Sequence, residues 1–577
     1  MVMLDVGSSR ALISTIEQPL GDRAAVDEFL DTVPRPRAVI HVALAGLTPS
    51  PDPKTLDTLA NIFAALMEAG RLAPRRWDDI YAAGDPVVRL LAEAGTSLAA
   101  PVLDLAKARG LSVVATQRGE EEVLEDCDCL LLVDAGAADD AHAVDDAHAV
   151  DLDPRSRRAL ARERPVILAL PRGGSAPLLL VPLPDEFGLD AQRPIAAGRE
   201  TLTPQILAAL LLAPPARHGA RTHLAAYLEE GPPRASSRAE YDLLMRVLGP
   251  PSRRRRAPAP EPWDSAAILG DSAGWVTQLK RHHDIADGHA LHYGEKWRSA
   301  LVTRSFLLLI SIVVLGLIGM LNQDLSLVTM PLQAATAGFI FFDRWRALRG
   351  EWQRRWLEYR VLAERLRCLR YLRLAGVADA EGAAKRPTDW TAWYATRIAR
   401  LIGPCAARDP AQADAVLNHL LRAEMAEQID YHRAAIRRFT ALDLRIRGTA
   451  RALLALTVTT GALMFAVSFQ YPHFLSWSGI ASLGLSAAPA IVTGLNAFRA
   501  EFDLMRLTER SARILSGLSR LSRAARARSQ PGATGAGKAA TLGLDQAVAR
   551  RAAALMLDEV SQWRFVLEAR SARLKRR

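Results

Sequence analysis

SFLLLISIVVLGLIGMLNQ, residues 305–323, contains no Asp, Glu, Lys or Arg. At about 1.5 Å per residue, a helix of that length crosses the ~30 Å hydrocarbon core of a bilayer. A second uncharged run, LSLVTMPLQAATAGFIFF over 325–342, follows after the short polar break Asn322-Gln323-Asp324. The two read as a tight membrane hairpin. A third region, Ala452 to Phe498, is also free of Asp, Glu, Lys and Arg and is too long for one span. Tyr471-Pro472 and Trp477 mark an aqueous turn edged by interfacial aromatics, which splits it into a second hairpin. Four spans are expected, at about 304–322, 325–342, 452–470 and 477–498.

Direction follows from the basic residues. The two turns carry no Lys or Arg, whereas Lys296, Arg298 and Arg304, then Arg344, Arg346 and Arg349, then Arg445, Arg447 and Arg451, then Arg499 and Arg506 flank the spans. The positive-inside rule puts both termini and the central segment in the cytosol, giving a multi-pass protein of the inner (plasma) membrane. His473, in a turn, is the one ionisable interruption, which argues against an ion-coupled carrier and leaves open a pore made by self-association. Small residues four apart, Ala334 with Gly338 and Ser482 with Ser486 and Ala490, would let helices approach closely.

A chain of 577 residues is too long for one core. Its 73 Lys and Arg outnumber 63 Asp and Glu, but acids such as Glu120, Glu121, Glu122 and Asp126 crowd the first third. Cys127, Cys129, Cys368 and Cys405 have no framework spacing and read as reduced cytosolic thiols. The opening MVMLDVGSSRALIS lacks a basic segment followed by an apolar one, so no cleaved secretion signal is expected.

Residues 38–183 alternate short apolar runs with amphipathic stretches. Ala38–Leu44, Pro86–Leu91, Leu111–Thr116, Cys129–Val133 and Pro165–Leu170 read as buried strands of a parallel sheet. Leu56–Ala69, Ser97–Arg109 and Arg155–Arg162 supply the crossovers, so an α/β Rossmann-like domain is expected. Ligands of such sheets bind beyond the carboxyl ends of the strands. That places candidate ligand residues at Gly46 and Thr48, at Glu93 and Gly95, and at Asp134 and Gly136.

The stretches RLLAEAGTSLAAPVLDLAKARGLSVVAT (89–116), CDCLLLVDAG (127–136) and ERPVILALP (163–171) resemble the SLOG domain family. The resemblance implies a Rossmann-like sensor of nucleotides or nucleotide-derived signals, with some relatives hydrolysing them. The chain departs from the pattern at Gly46-Leu47 and Gly95-Thr96, and the family's phosphate-cradling Gly-Gly-Thr is missing after Gly136. Two copies of DDAHAV, 139–144 and 145–150, stand there instead, and their aspartates would repel a phosphate. The front end therefore reads as a degenerate sensor.

Several other signals carry less. GATGAGK, 532–538, fits a phosphate loop, but Ala539 fills the metal-binding hydroxyl position and no strand precedes it. His282, His283, His289 and His292, with Asp284 and Asp287, could be drawn as a metal site, yet they lead into a helix and read as solvated. Arg172-Gly173-Gly174 could touch phosphate or form a turn between strands. Arg253 to Arg256 lie in a Pro-rich linker, 231–265, where they can meet anionic lipid.

After the second span comes WLEYRVLAERLR, 356–367. Trp352, Trp356, Tyr359, Leu362, Leu366, Leu369 and Leu372 fall on one helical stripe, which predicts a buried face. Glu351 with Arg355, Arg354 with Glu358, and Arg360 with Glu364 stand four apart and are expected to neutralise one another, so nucleic acid is not an expected partner. The helix is expected to continue the second span into the cytosol as a coupling element, with Trp356, Tyr359, Arg360, Glu364 and Arg367 as its key residues.

ADGHALHYGEKWRSAL (286–301), WLEYRVLAERLR, YHRAAIRRF (431–439), FRAEFDLMRLTERS (498–511) and LMLDEVSQWRFVLEAR (555–570) resemble SLATT-type membrane modules. These modules are membrane-hairpin effectors associated with SLOG sensors and nucleotide-second-messenger synthases. The implied organisation is an N-terminal segment 1–37, a sensor 38–230, the linker 231–265, a first module 266–400 and a second helical unit 401–577. The implied role is a homo-oligomeric effector of bacterial conflict or stress that perturbs the membrane on a nucleotide signal. A membrane-anchored nucleotide-processing enzyme and a membrane scaffold with an inactive front end are the alternatives.

Overall fold

The computed structural model describes residues 33–47, 49–93, 98–116, 119–134, 154–162, 164–170, 177–182, 197–215, 219–233, 238–248, 263, 274–311, 326–378, 389–405, 412–470, 488–489, 491–500, 504–528 and 543–558. Short runs of Val, Ile, Leu and Ala form strands β1 (Val39–Ala45), β2 (Val87–Ala92), β3 (Ser112–Ala115), β4 (Cys129–Asp134) and β5 (Val166–Leu170). These are the five expected strands, shifted by no more than two residues at either end. Two strands join them, β6 (Leu178–Pro182) and β7 (Ala197–Thr201), in the order β3-β2-β1-β4-β5-β6-β7. Pairs from β3 through β5 are parallel, whereas β6 and β7 run antiparallel. The sheet is thus mixed, not wholly parallel as expected. The antiparallel β5–β6 pair brackets Arg172-Gly173-Gly174, which lie outside the described residues.

Helices cover both faces. Between β1 and β2 runs α1 (Pro53–Arg76), started by Asp52, whose carboxylate accepts the Thr55 amide at 2.7 Å, with Pro53 in the first turn. Such a cap stabilises a helix by about 1 kcal/mol. Its apolar side, Leu59, Ile62, Phe63 and Leu66, packs in one cluster with Ile40, Val42 and Leu44 of β1. The connections α2 (Ala100–Ala108), α3 (Glu120–Glu125) and α4 (Pro154–Ala161) follow β2, β3 and β4. Val123, Leu124, Ala159 and Leu160 of the last two meet Ala43, Leu130 and Val166 on the opposite face. Then come α5 (Pro204–Leu211), α6 (Ala220–Leu228) and α7 (Glu240–Leu248).

The remainder is helical: α8 (Gly274–Ile310), α9 (Ser326–Arg349), α10 (Trp352–Leu374), α11 (Trp390–Ile402), α12 (Ala413–His419) with a wider turn Leu420–Glu424, α13 (Met425–Gln470) and α14 (Leu504–Arg528). Further helices cover residues 491–500 and 543–558. The first core cluster does not stop at the sheet; it continues through Tyr227 into Tyr293, Trp356, Tyr359, Trp390 and Tyr394. Trp297 and Trp356 stack with centroids 5.2 Å apart, and Gly294 makes room, because a Cβ there would lie 2.8 Å from the Trp356 ring.

Among the described residues one helical run, Ala413–Val467, is long and apolar enough to cross a membrane, against the four spans expected. Of the other expected spans, residues 312–322, 325, 477–487 and 490 lie outside the described residues. The apolar window of that run is only 6% buried.

The arginine helix departs from expectation at its start. It does not continue the second span: α9 ends at Arg349, and Glu351 takes a left-handed backbone (φ 50°) before α10 begins. A close contact accompanies the break. The Trp352 indole lies over Gly350, where a Cβ would come within 2.4 Å of its Nε1.

Candidate functional site

Three of the expected ligand residues fall within the described part. Gly46 follows β1 with a left-handed φ of 69°, a conformation that favours glycine. Asp134 ends β4, pairing in register with Leu170 of β5. Because β1 lies between β2 and β4, the sheet brings Gly46, Glu93 and Asp134 to one edge, with the reversal of strand order between Gly46 and Asp134. Glu93 is not an isolated carboxylate: Arg155 at the start of α4 reaches it at 3.7 Å and Glu120 at 3.4 Å. Thr48, Gly95, Gly136, both DDAHAV copies and GATGAGK lie outside the described residues.

At the other end of the same strands the structure builds a charged site that no motif announced. Asp126 and Asp128 precede β4, and both are buried. Asp128 exchanges backbone and side-chain hydrogen bonds with His41 of β1: its amide donates to the His41 carbonyl at 2.7 Å, and its Oδ2 accepts the His41 amide at 2.9 Å. Three arginines from the helical part then enter. Arg400 on α11 donates Nε to Asp128 (3.2 Å), Nη1 to Asp126 (2.8 Å) and Nη2 to the Cys127 carbonyl (3.0 Å). Arg397, one turn earlier, reaches Asp128 at 3.0 Å, and Arg373 on α10 reaches Asp126 at 3.2 Å. The Cys405 amide donates to the second Asp126 oxygen at 2.6 Å.

Electrostatics here is decided by pairing. Burial alone would raise both carboxyls, but Arg400 and Arg397 on Asp128, and Arg373 and Arg400 on Asp126, outweigh it and hold both below the usual carboxylate range. His41 is pushed down to about 3 by burial first and by Arg400 second. Its neutral ring fits the network: Nδ1–H donates to the Asp126 carbonyl at 3.1 Å, and Nε2 accepts from Arg89 Nη1 at 3.0 Å. Burial also raises the neighbouring thiols, Cys127 to about 11. Neither Cys127 nor Cys129 therefore has thiolate character at neutral pH. Hydrogen bonds fill this site and leave it a dock between sheet and helices.

The arginine helix forms the second half of the dock. Its stripe is buried as predicted, from Trp352 through Trp356, Tyr359, Leu362, Leu366 and Leu369 to Leu372. The pairs Arg354–Glu358 (2.6 Å) and Arg360–Glu364 (3.4 Å) form, but Glu351 pairs with Arg354 instead of Arg355. The expectation of a self-neutralised helix needs correcting, because most of its arginines leave it. Arg355 goes to Glu230 beyond α6, Arg360 to Asp287 of α8 at 2.7 Å, and Arg365 to Asp389 at the start of α11 at 3.4 Å. Arg370 goes to the buried Glu424, and Arg373 to Asp126. Arg367 pairs with Glu364 on the same helix. Glu230 also accepts the hydroxyls of Tyr293 and Tyr359, each at 2.9 Å.

The histidines are not solvated as expected. His282 and His289 are buried against Tyr394 and Tyr359, and burial pushes each down to about 4. Among the described residues no group of three or more His, Cys, Asp or Glu is placed to hold a metal ion. Sequence reasoning passed over Asp126, Asp128, His41, Arg373, Arg397, Arg400 and Glu230. The available signal was TAWYATRIARLI, where two arginines one turn apart interrupt an otherwise apolar helix face.

The class these features define is a mixed α/β sheet joined to a mostly helical remainder that holds one candidate membrane helix. No family model, no curated protein and no solved structure matches the chain.

Proposed function

We propose that this chain is an integral membrane effector in which the α/β front end biases a helical membrane module between closed and open states. The observation that carries the membrane part is the exposed apolar surface. Phe306, Leu308 and Ile310 on α8, Leu332, Phe339 and Phe341 on α9, and Leu456, Val458 and Phe465 on α13 are each 42% or more exposed. Soluble proteins rarely leave contiguous apolar surface of that kind in water. Two aspartate clamps at its edge support paired hairpins. Asp343 on α9 meets Arg304 of α8 at 3.6 Å, and Asp443 on α13 meets Arg499 of helix 491–500. Leu309 also lies against Gly494, which joins the two pairs. Four spans with cytosolic termini in the inner (plasma) membrane are the arrangement these contacts favour.

The sensing part rests on the shared strands. β4 carries Asp134 at the crevice and leads back to Asp128 at the dock; β1 does the same with Gly46 and His41. Six residues of strand put the two sites about 20 Å apart. A nucleotide-derived ligand at the crevice would act through its different affinities for the two states. The output is a homo-oligomeric pore or membrane perturbation in bacterial conflict or stress response, as the SLOG and SLATT resemblances imply. Inducing the full chain in bacteria while recording membrane potential and growth tests it. Depolarisation on supply of one nucleotide, lost in Arg400→Met, is the expected result; unchanged potential with every candidate nucleotide sinks the pore reading.

The alternative of a membrane scaffold with an inactive front end draws on one observation, the ion pair of Glu93 with Arg155. It predicts that no nucleotide shifts the melting of the full chain.

A further inference from the structure

Helix α7, EYDLLMRVL, has two unlike faces. Tyr241 and Leu244 are buried in a cluster with Leu301 and Val302 of α8, Phe439, Leu442 and Ile446 of α13, and Leu507 of α14. On the other side Leu243 is 63% and Val247 68% exposed, four residues apart and therefore on one face. The depth of this helix is fixed by Arg238, two residues before it. Arg238 donates to Asp343 at 2.8 Å and to the Thr303 hydroxyl at 3.1 Å. Thr303 stands three residues before the exposed Phe306, and Asp343 directly follows the exposed Phe342, so α7 sits where the apolar bands of α8 and α9 begin. On the membrane reading, its exposed face stands at the level where those apolar bands enter lipid.

We infer that α7 is an interfacial anchor, with Leu243 and Val247 entering the headgroup boundary of an anionic cytosolic leaflet. Charge favours the same occupant. Exposed Arg246 lies beside Leu243 and Val247 on this short helix, while of its two acids Glu240 is paired with Arg238 and Asp242 is half-buried. Basic side chains at that level attract anionic headgroups while apolar neighbours enter the acyl boundary. The inference rests on the membrane reading above.

The test uses the full chain in lipid nanodiscs, with a single added cysteine carrying an environment-sensitive fluorophore. Cys127, Cys129, Cys368 and Cys405 are all buried, so labelling of the unmodified protein gives the background. Val247→Cys reports α7, Leu456→Cys reports the bilayer interior, and Arg71→Cys on exposed α1 surface reports water. At Val247 the expected result is a larger loss of emission with headgroup-level nitroxide lipid than with deep nitroxide lipid. That loss should shrink when phosphatidylglycerol is omitted, and when Arg246→Glu is added in its presence. If the Val247 probe matches the Arg71 probe while the Leu456 probe is quenched by deep nitroxide, the anchor is refuted and the membrane reading stands. Self-quenching between labelled copies, with no effect of lipid nitroxide, would assign the face to a second copy and also refute it. If deep nitroxide leaves the Leu456 probe untouched, the membrane reading itself fails.

Discussion

Replacing His41 by Gln should flatten the response of front-end stability to mild acid. His41 is fully buried, and its folded-state value of about 3 compares with an ordinary value of 6.5. A second proton would have to sit on Nε2, against the Arg89 guanidinium 3.0 Å away. Between those two values the unfolded chain binds the proton and the folded chain does not. The stability from neutral His41 is therefore complete above about pH 6.5 and declines as pH falls toward 3. From about pH 7.5 to about pH 5 the unfolded histidine takes up about 1.5 units' worth of proton binding, or about 2 kcal/mol. His282 and His289 titrate in the same direction in both proteins, so they cancel in the difference. Asp126 and Asp128, held low by their arginines, contribute only at lower pH. Gln keeps a donor and an acceptor but does not titrate. Urea unfolding at the two pH values can be followed by emission from Trp77, Trp390 and Trp393, which lie in the adjoining core. His41→Gln should lose about 2 kcal/mol less than the unmodified chain between them. Equal losses would mean that His41 is already charged or exposed in the folded state, and the tautomer assignment would fall with it.

Removing Arg400, which bridges both aspartates, leaves two buried carboxylates short of a partner. Arg400→Met should cost about 3–5 kcal/mol and speed protease release of a front-end fragment; unchanged resistance would refute the dock. Arg400→Lys should recover only part, because a point charge cannot address two carboxylates and a carbonyl at once. A Cβ at Gly70 would lie 2.4 Å from the Pro86 Cβ, so Gly70→Ala should lower the melting temperature, at about 1–3 kcal/mol, while Gly448→Ala, inside α13 with open space, should not. An unmoved melting point would put that close approach in doubt. In the apolar window of α13, Leu463→Arg, near the middle of the expected span, should cost about 2.5–3.5 kcal/mol of insertion and reduce the membrane-bound fraction after alkaline extraction. Full retention would argue that this face does not meet lipid. Glu364, buried between Arg360 and Arg367, gives a last test: Glu364→Lys should abolish ordered assembly on size exclusion, and an unchanged profile would show that this pair does not hold α10.

Which features could be read ahead of the structure follows from the range of the interactions behind them. Strands β1 to β5 were legible because a sheet covered on both faces demands near-continuous apolar residues. β7, AGRET, was not, because with Gly, Arg, Glu and Thr around a single alanine it shows neither an apolar run nor alternation. The stripe on α10 was legible from its period, but the partners of its arginines were not. Arg354–Glu358 lies within one turn, whereas Arg373 and Asp126 stand 247 residues apart. The break before α10 comes with a left-handed Glu351 and a close Trp352–Gly350 contact, neither of which propensity encodes. At the candidate crevice the strand ends were placed by the sheet rule, yet the Glu93–Arg155 pair depended on where α4 settled. The dock was missed for the same reason: Asp126 and Asp128 read as loop acids until α11 brings Arg397 and Arg400 against them.

The 37 residues of α8 have a mechanical consequence. It is one continuous rod, about 55 Å long at 1.5 Å per residue. Its first two thirds are wedged against Tyr394, Tyr359 and Trp356, which meet His282, His289 and Trp297 in turn, and its last stretch, from Phe306 on, carries exposed apolar side chains. A tilt of about 5° about Trp297 swings the helix end, about 20 Å further on, by about 2 Å. Packing changes of a few tenths of an ångström around the tyrosines would thus arrive at the far end magnified, with no joint along the rod to absorb them.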